Sequence, residues 1–109
     1  MKREWYCYLI STRTKYRGSI YKIHTYIGIT NNTQKRLKAH NNGKGSKCTR
    51  RYKNWKYEKL IKMKDRSHAS KFEYWWKHYY NSKGTLVKTK PGLKNKLKRF
   101  EQLKKTKHF

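Results

Sequence analysis

The sequence predicts an α+β domain of three strands and three helices, and three observations carry that prediction. Between Ile20 and Thr30, the residues Tyr21, Ile23, Thr25, Ile27 and Ile29 recur at every second position, the period of a strand. Ala69, Phe72, Trp76 and Tyr79 recur instead at helical spacing. Aromatic residues make up 16% of a chain with a formal net charge of +26, so Tyr and Trp must supply the apolar area that so charged a chain otherwise lacks. A disordered basic tail would not carry them.

In chain order, Trp5 to Ser11 (WYCYLIS) has the length and composition of a strand, and the polar, basic TRTKYRGS after it reads as a hairpin loop. Ile20 to Thr30 is the second strand, with Tyr26, Gly28 and Thr30 on the face opposite the period-two stripe. NNT then supplies capping side chains for a short helix over Gln34 to His40, anchored by Leu37. Asn41 to Asn54 contains two glycines and no acidic residue and reads as a mobile cationic loop. Trp55 to Met63 is the third strand. Ser67 caps a second helix that reaches about Asn81, SKGT and KPG mark a break, and a very basic third helix follows with the stripe Leu93, Leu97, Phe100 and either Leu103 or Lys104. Neither a repeat nor a long linker divides the 109 residues, so one domain is expected.

Thirty-one Lys and Arg against five acidic residues far exceed what solubility needs, and nucleic-acid phosphate is the natural counter-charge. A membrane is not an expected partner, because no sustained apolar run or lipidation signal dominates the chain. The apolar part of the opening MKREWYCYLIS is too short and too polar for a secretory signal, so the expected setting is a reducing, intracellular compartment, nucleus or cytoplasm, for a protein of cellular or viral origin. Cys7 and Cys48 lack a CxxC partner. They therefore exclude a zinc site built from cysteines alone and are expected as small buried or half-buried side chains.

Phosphodiester hydrolysis needs a metal or cation on the phosphate, an activated water and stabilisation of the departing oxygen. The carboxylates Glu4, Glu58, Asp65, Glu73 and Glu101 contain no close pair of the kind a two-metal nuclease requires. One carboxylate is the most a metal site could use. Glu73 lies in KFEYWWKHYY, an aromatic helix in which an ionised group needs a cation nearby. Lys77, one turn on, and a metal ion both answer that need. Arg36 and His40 are four residues apart and share a helix face close to the strand end that carries Tyr26 and Gly28. They can converge on one ligand, although either alone reads as a solvated surface group. Tyr8 and Tyr26 read equally as cross-strand core aromatics, and Gly28 as a strand glycine marking a close approach. Trp76 belongs to the core by its spacing, whereas Trp75 is open to stacking on unpaired bases.

Taken together these positions resemble the GIY-YIG nuclease family, named for two tripeptides on adjacent strands followed by an Arg-bearing helix and a later helix with one Glu. The second tripeptide is intact as Tyr26-Ile27-Gly28, and RLKAH carries Arg36 and His40. The first departs to Tyr6-Cys7-Tyr8, keeping only its tyrosine, and CYL at Cys7 to Leu9 is similar to the branch that resolves branched DNA. YIGIT, HNNGKGSKCTRR with a following NW, and FEYWWKH extend the similarity over about residues 6–78. The hairpin between the two tyrosines is a few residues longer than usual.

The resemblance implies a small three-stranded antiparallel sheet flanked by helices, with residues 1–82 as nuclease core and 83–109 as a basic helical extension packed on the same domain. It implies one divalent ion, Mg²⁺ or Mn²⁺, bound by Glu73, and cleavage leaving a 5′-phosphate and a 3′-hydroxyl. Tyr8 would orient or deprotonate the attacking water, with His40 the alternative base, Tyr26 beside the phosphate and Arg36 on the developing charge. Gly28 would let the substrate approach, and Lys44, Lys47, Arg50 and Arg51 would contact DNA. The basic third helix, with Lys94, Lys96, Lys98, Arg99, Lys104, Lys105 and Lys107, would add salt-dependent affinity. Junction-resolving relatives carry a C-terminal zinc domain that recruits a scaffold partner, and two cysteines cannot build one. The expected partners are therefore branched, flapped or junction DNA, met by the chain alone, as a homodimer or with a scaffold bound elsewhere. The rival readings are a non-catalytic basic nucleic-acid-binding protein and a site-specific nuclease of the same fold.

Overall fold

The computed structural model describes residues 4–106, so Lys107 lies outside the described residues. The elements are β1 (Trp5–Arg17), β2 (Ile20–Thr30), α1 (Thr33–Asn41), β3 (Lys56–Met63), α2 (Arg66–Lys77), β4 (His78–Tyr80), β5 (Leu86–Lys88) and α3 (Leu93–Lys104). β1 is the centre of a three-stranded antiparallel sheet in the order β2-β1-β3, the sheet the resemblance implied.

Both faces of β1 are covered, so Cys7, Tyr8, Leu9 and Ile10 are all fully buried, and adjacent residues enter different cores. Cys7 and Leu9 join Ile27, Met63, Ala69, Phe72 and Trp76 in the larger one. Tyr8 and Ile10 join Trp55 in the smaller one, with Tyr26, Leu37, Tyr52 and Tyr57 packed around it. Register fixes this division, with Tyr8 opposite Gly28 and Ile10 opposite Tyr26.

The structure departs from the sequence expectation in four places. β1 does not end at Ser11. TRTKYR stays extended and pairs with β2, and the chain reverses at Gly18, whose φ of 52° suits a residue without a side chain. Asp65 rather than Ser67 caps α2, accepting the His68 amide at 2.8 Å. α2 stops at Lys77, so Tyr79 does not continue the helical stripe; HYY is instead a strand that pairs with β5. Asn81 closes that hairpin by accepting the amides of Lys83 and Thr85, a local side-chain turn that competes with helix. Cys7 is buried as expected, and Cys48 is exposed.

α3 packs on the larger core through Phe100 and Leu103, which settles the end of the predicted stripe on Leu103. The Phe100 ring lies 4.8 Å from that of Trp76 and 6.0 Å from that of Phe72. Polar contacts fix the helix in place. The Trp76 indole donates to the Lys96 carbonyl at 2.9 Å. Arg99 donates to the carbonyls of Trp75 and His78 at 2.9 and 3.1 Å, satisfying acceptors that the end of α2 leaves free. Among the described residues no helix is long and apolar enough to cross a membrane.

Phe100→Ala should therefore destabilise the whole fold by about 3–5 kcal/mol, the usual cost of emptying an aromatic core position. Urea unfolding followed by tryptophan fluorescence checks it, and an unchanged midpoint would make α3 an appendage.

Candidate active site

Asn32 starts α1 by accepting the Lys35 amide at 3.1 Å, and the helix then directs Arg36 and His40 from one face toward β1. They meet at Tyr8. Its hydroxyl accepts Arg36 Nε–H at 3.1 Å and lies 2.7 Å from His40 Nε2, while His40 Nδ1 lies 2.8 Å from Thr49 Oγ1. Arginine can only donate. The donor order that uses every proton therefore runs Arg36 to Tyr8, Tyr8 to His40 Nε2, and His40 Nδ1–H to Thr49.

The electrostatics agree with that order. Burial, and then the Arg36 charge, push the His40 imidazole down to about 4, so it is neutral and free to accept a proton. Burial raises the Tyr8 phenol above its ordinary value, although Arg36 pulls the other way, so Tyr8 is protonated at rest. Burial is the largest single influence on the Arg36 charge and opposes it, but the hydrogen bonds and charge interactions with Tyr8 and Tyr26 together outweigh it and raise the pKa. Tyr26 faces the same group, its ring 6.4 Å from that of Tyr8 and 5.1 Å from that of His40.

Two glycines leave the room for these rings. A Cβ on Gly28 would stand 2.5 Å from the Tyr8 hydroxyl and 3.0 Å from the Tyr26 ring. The space expected for a substrate's approach is thus filled by Tyr8 itself. A Cβ on Gly45 would stand 2.2 Å from His40 Nδ1.

The segment expected as a mobile loop, residues 41–54, is hydrogen-bonded into the site. Asn41 accepts the Trp55 amide at 2.6 Å and donates to the Trp55 carbonyl at 3.2 Å, closing the segment at its base. The Trp55 indole reaches the carbonyls of Thr49 and Tyr52, both at 3.2 Å. Thr49 is thereby fully buried against His40, while Lys44, Lys47, Arg50 and Arg51 are exposed on the outer side.

Sequence reasoning missed Thr49, Gly45 and Tyr57. The Tyr57 ring stands edge-on to Tyr8 at 5.6 Å, and its hydroxyl donates to the Thr33 carbonyl, fixing the start of α1. GKGSKCT held a signal for the first two, since a glycine and a hydroxyl residue within ten positions of a histidine can pack on it and orient it.

Glu73 stands apart from this cluster. Its carboxylate is one-quarter exposed and lies 3.5 Å from Lys77 Nζ, which in turn sits 5.8 Å from the Tyr26 ring centre. Glu73 thus reaches the site through one lysine. Among the described residues no three His, Cys, Asp or Glu gather as a ready-made cage. The donor set nonetheless fits Mg²⁺ or Mn²⁺, because a hard cation can take one carboxylate and fill its remaining positions with water and phosphate oxygens. Beside Tyr26 a groove of about 530 Å³ carries Lys77, Lys88 and Lys96. Cationic side chains therefore continue outward from the tyrosines.

His40 gives the site a pH signature. Its folded-state pKa is depressed from 6.5 to about 4, so the unfolded chain binds more protons between those values. Stability present above pH 6.5 should fall as pH drops toward 4, by about 3 kcal/mol if the whole difference is expressed. His40→Gln should remove that share of the slope in urea midpoints measured from pH 7 to 4.

Residues 4–86 match the GIY-YIG catalytic domain family. A UPF0213 protein of Bacillus licheniformis is 51% identical over 45 residues, covering 41% of this chain and 38% of that protein. The chain thus spans well under half the length of that relative. No solved structure matches. The antiparallel sheet, the Tyr26-Ile27-Gly28 strand beside Tyr8, and a match over most of the chain together establish that it belongs to the GIY-YIG nuclease family.

Proposed function

We propose that the chain is a metal-dependent DNA endonuclease of the structure-selective kind, cutting branched or flapped DNA to leave a 5′-phosphate and a 3′-hydroxyl. The observation that carries this reading is the buried line Arg36, Tyr8, His40, Thr49. A structural hydrogen bond needs two partners. Four groups arranged so that a phenol proton faces a neutral imidazole, with a guanidinium on the phenol oxygen, form a proton-transfer device.

In this reading His40 Nε2 receives the Tyr8 proton as the Tyr8 oxygen takes one from the attacking water. Thr49 holds the imidazole in the tautomer that leaves Nε2 free to accept. The two assignments left open by the sequence, Tyr8 or His40 as base, become one relay. Arg36 stabilises the phenolate and then the charge developing on the phosphate, and Tyr26 borders that phosphate. A divalent ion on Glu73 would polarise the phosphate and the leaving oxygen. Lys44, Lys47, Arg50 and Arg51 sit on the exposed side of the loop that orients His40, where DNA backbone would complete the neutralisation. The exposed Cys48 thiol suits a reducing intracellular compartment.

The decisive measurement is cleavage of labelled duplex, flap, fork and four-way junction DNAs with Mg²⁺ or Mn²⁺. Flaps or junctions should be cut in preference to plain duplex. A wild type that binds them all but cuts none would instead be a nucleic-acid-binding protein on this fold. Glu73→Gln should abolish cleavage while leaving DNA affinity intact, and near-normal cleavage would remove Glu73 from the reaction. Arg36→Ala should lower the single-turnover rate at saturating protein by roughly 10²-fold or more. A loss confined to affinity would make it one phosphate contact among many.

A further inference from the structure

The β1–β2 hairpin extends well past the site. β3 pairs with β1 only as far as Ser11, so from residue 13 to residue 23 the two strands pair with each other alone. The root of this ribbon is fixed. Thr12 donates to the Lys53 carbonyl at 2.6 Å, and the His24 ring stacks on Tyr52 at 3.8 Å while bonding Thr14.

An isolated two-stranded ribbon is a poor place to keep apolar side chains, since nothing covers them. Yet Tyr16, Ile20 and Tyr21 are 61%, 59% and 58% exposed. Arg17 and Lys22 lie over the Tyr16 ring at 5.7 and 6.0 Å, while Arg13 and Lys15 lie along β1, and the ribbon contains no acidic residue. Cations interleaved with exposed aromatic rings suit phosphates flanked by sugars and bases. Lys22 also shares the sheet face of Tyr8 and Tyr26, because it pairs with Thr14 at an even spacing from both.

We propose that residues 13–23 form a nucleic-acid-binding arm that grips duplex DNA at a fixed distance from the cleaved phosphate. The proposal rests on the endonuclease reading for the position of that phosphate. A two-stranded ribbon fits the major groove of a duplex. Tyr26 and Ile20 are six residues apart on one strand, about 20 Å at about 3.3 Å per residue. Laid along DNA rising about 3.4 Å per base pair, the tip meets the duplex about six base pairs from the scissile bond. Because arm and site share β1 and β2, the strand ladder sets the spacing.

The test uses the full chain, fluorescein-labelled duplexes and fluorescence anisotropy over a salt series. The triple substitution Arg13→Gln, Lys15→Gln and Lys22→Gln should weaken binding to a long duplex about tenfold or more and flatten the log–log salt slope by about two to three units. Tyr16→Ser with Ile20→Ser should lower affinity with little change in slope. These side chains are exposed, and a circular dichroism melt matching wild type verifies that each variant folds. Trimming the duplex to fewer than about six base pairs on the arm side should bring wild type down to the affinity of the triple variant. Unchanged affinity and slope in the triple variant would overturn the proposal. So would a wild-type dimer that becomes monomeric in the variant with DNA binding intact, since the ribbon would then be a self-association surface. Because every readout is binding, a chain that never cuts DNA would sink the endonuclease reading, and with it the spacing counted from a scissile bond, while leaving the arm's grip on duplex DNA standing on these measurements.

Discussion

Everything at the centre of this molecule depends on satisfying one buried hydroxyl. Tyr8 is on the central strand, fully enclosed, and a phenol buried without a partner would cost a few kcal/mol. The partners come from α1, whose Arg36 and His40, one turn apart, both reach the oxygen. His40 is then buried too, and its second nitrogen needs a group of its own, which draws Thr49 and the whole segment from Asn41 to Trp55 inward. Each enclosed polar atom passes its requirement to the next. Among the described residues no buried side-chain nitrogen or oxygen lacks a partner.

The same constraint explains the glycines better than substrate access does. Gly28 and Gly45 stand where any Cβ would enter the Tyr8 or His40 ring. Their absent side chains are part of how the two rings are packed. A substitution at either would move the proton donor relative to its acceptor before it affected anything outside the protein.

Much of this was legible in the sequence. Composition at strand length and period-two alternation placed the three sheet strands, capping residues and period-3.6 stripes placed the three helices, and Arg36 and His40 on one helix face with Tyr26 nearby was a local inference that held. What could not be read was whatever depends on contacts across long separations. Tyr57 matters because the fold carries it to Tyr8, and no periodicity marks it, whereas Thr49 bonds a histidine nine residues away and had its local signal in GKGSKCT. The β4–β5 hairpin was hidden because HYY continues an aromatic helix pattern until Asn81 offers its side chain to the following amides. The extension of β1 was hidden because TRTKYR looks like a loop by polarity, while its Thr and Tyr suit a strand.

The alternation along β1 has a further consequence for how this chain can change over generations. Cys7 and Leu9 serve one interior and Tyr8 and Ile10 the other, so two unrelated duties are threaded through four consecutive positions. Point changes can adjust either duty separately, because neighbours do not share an environment. An inserted or deleted residue cannot, since a shift of one would exchange the two sets, sending a phenol into the hydrocarbon interior and a thiol to Arg36. The strand is thus open to substitution and closed to changes in length, whereas the free ribbon beyond Thr12 can gain or lose paired residues and change only its reach.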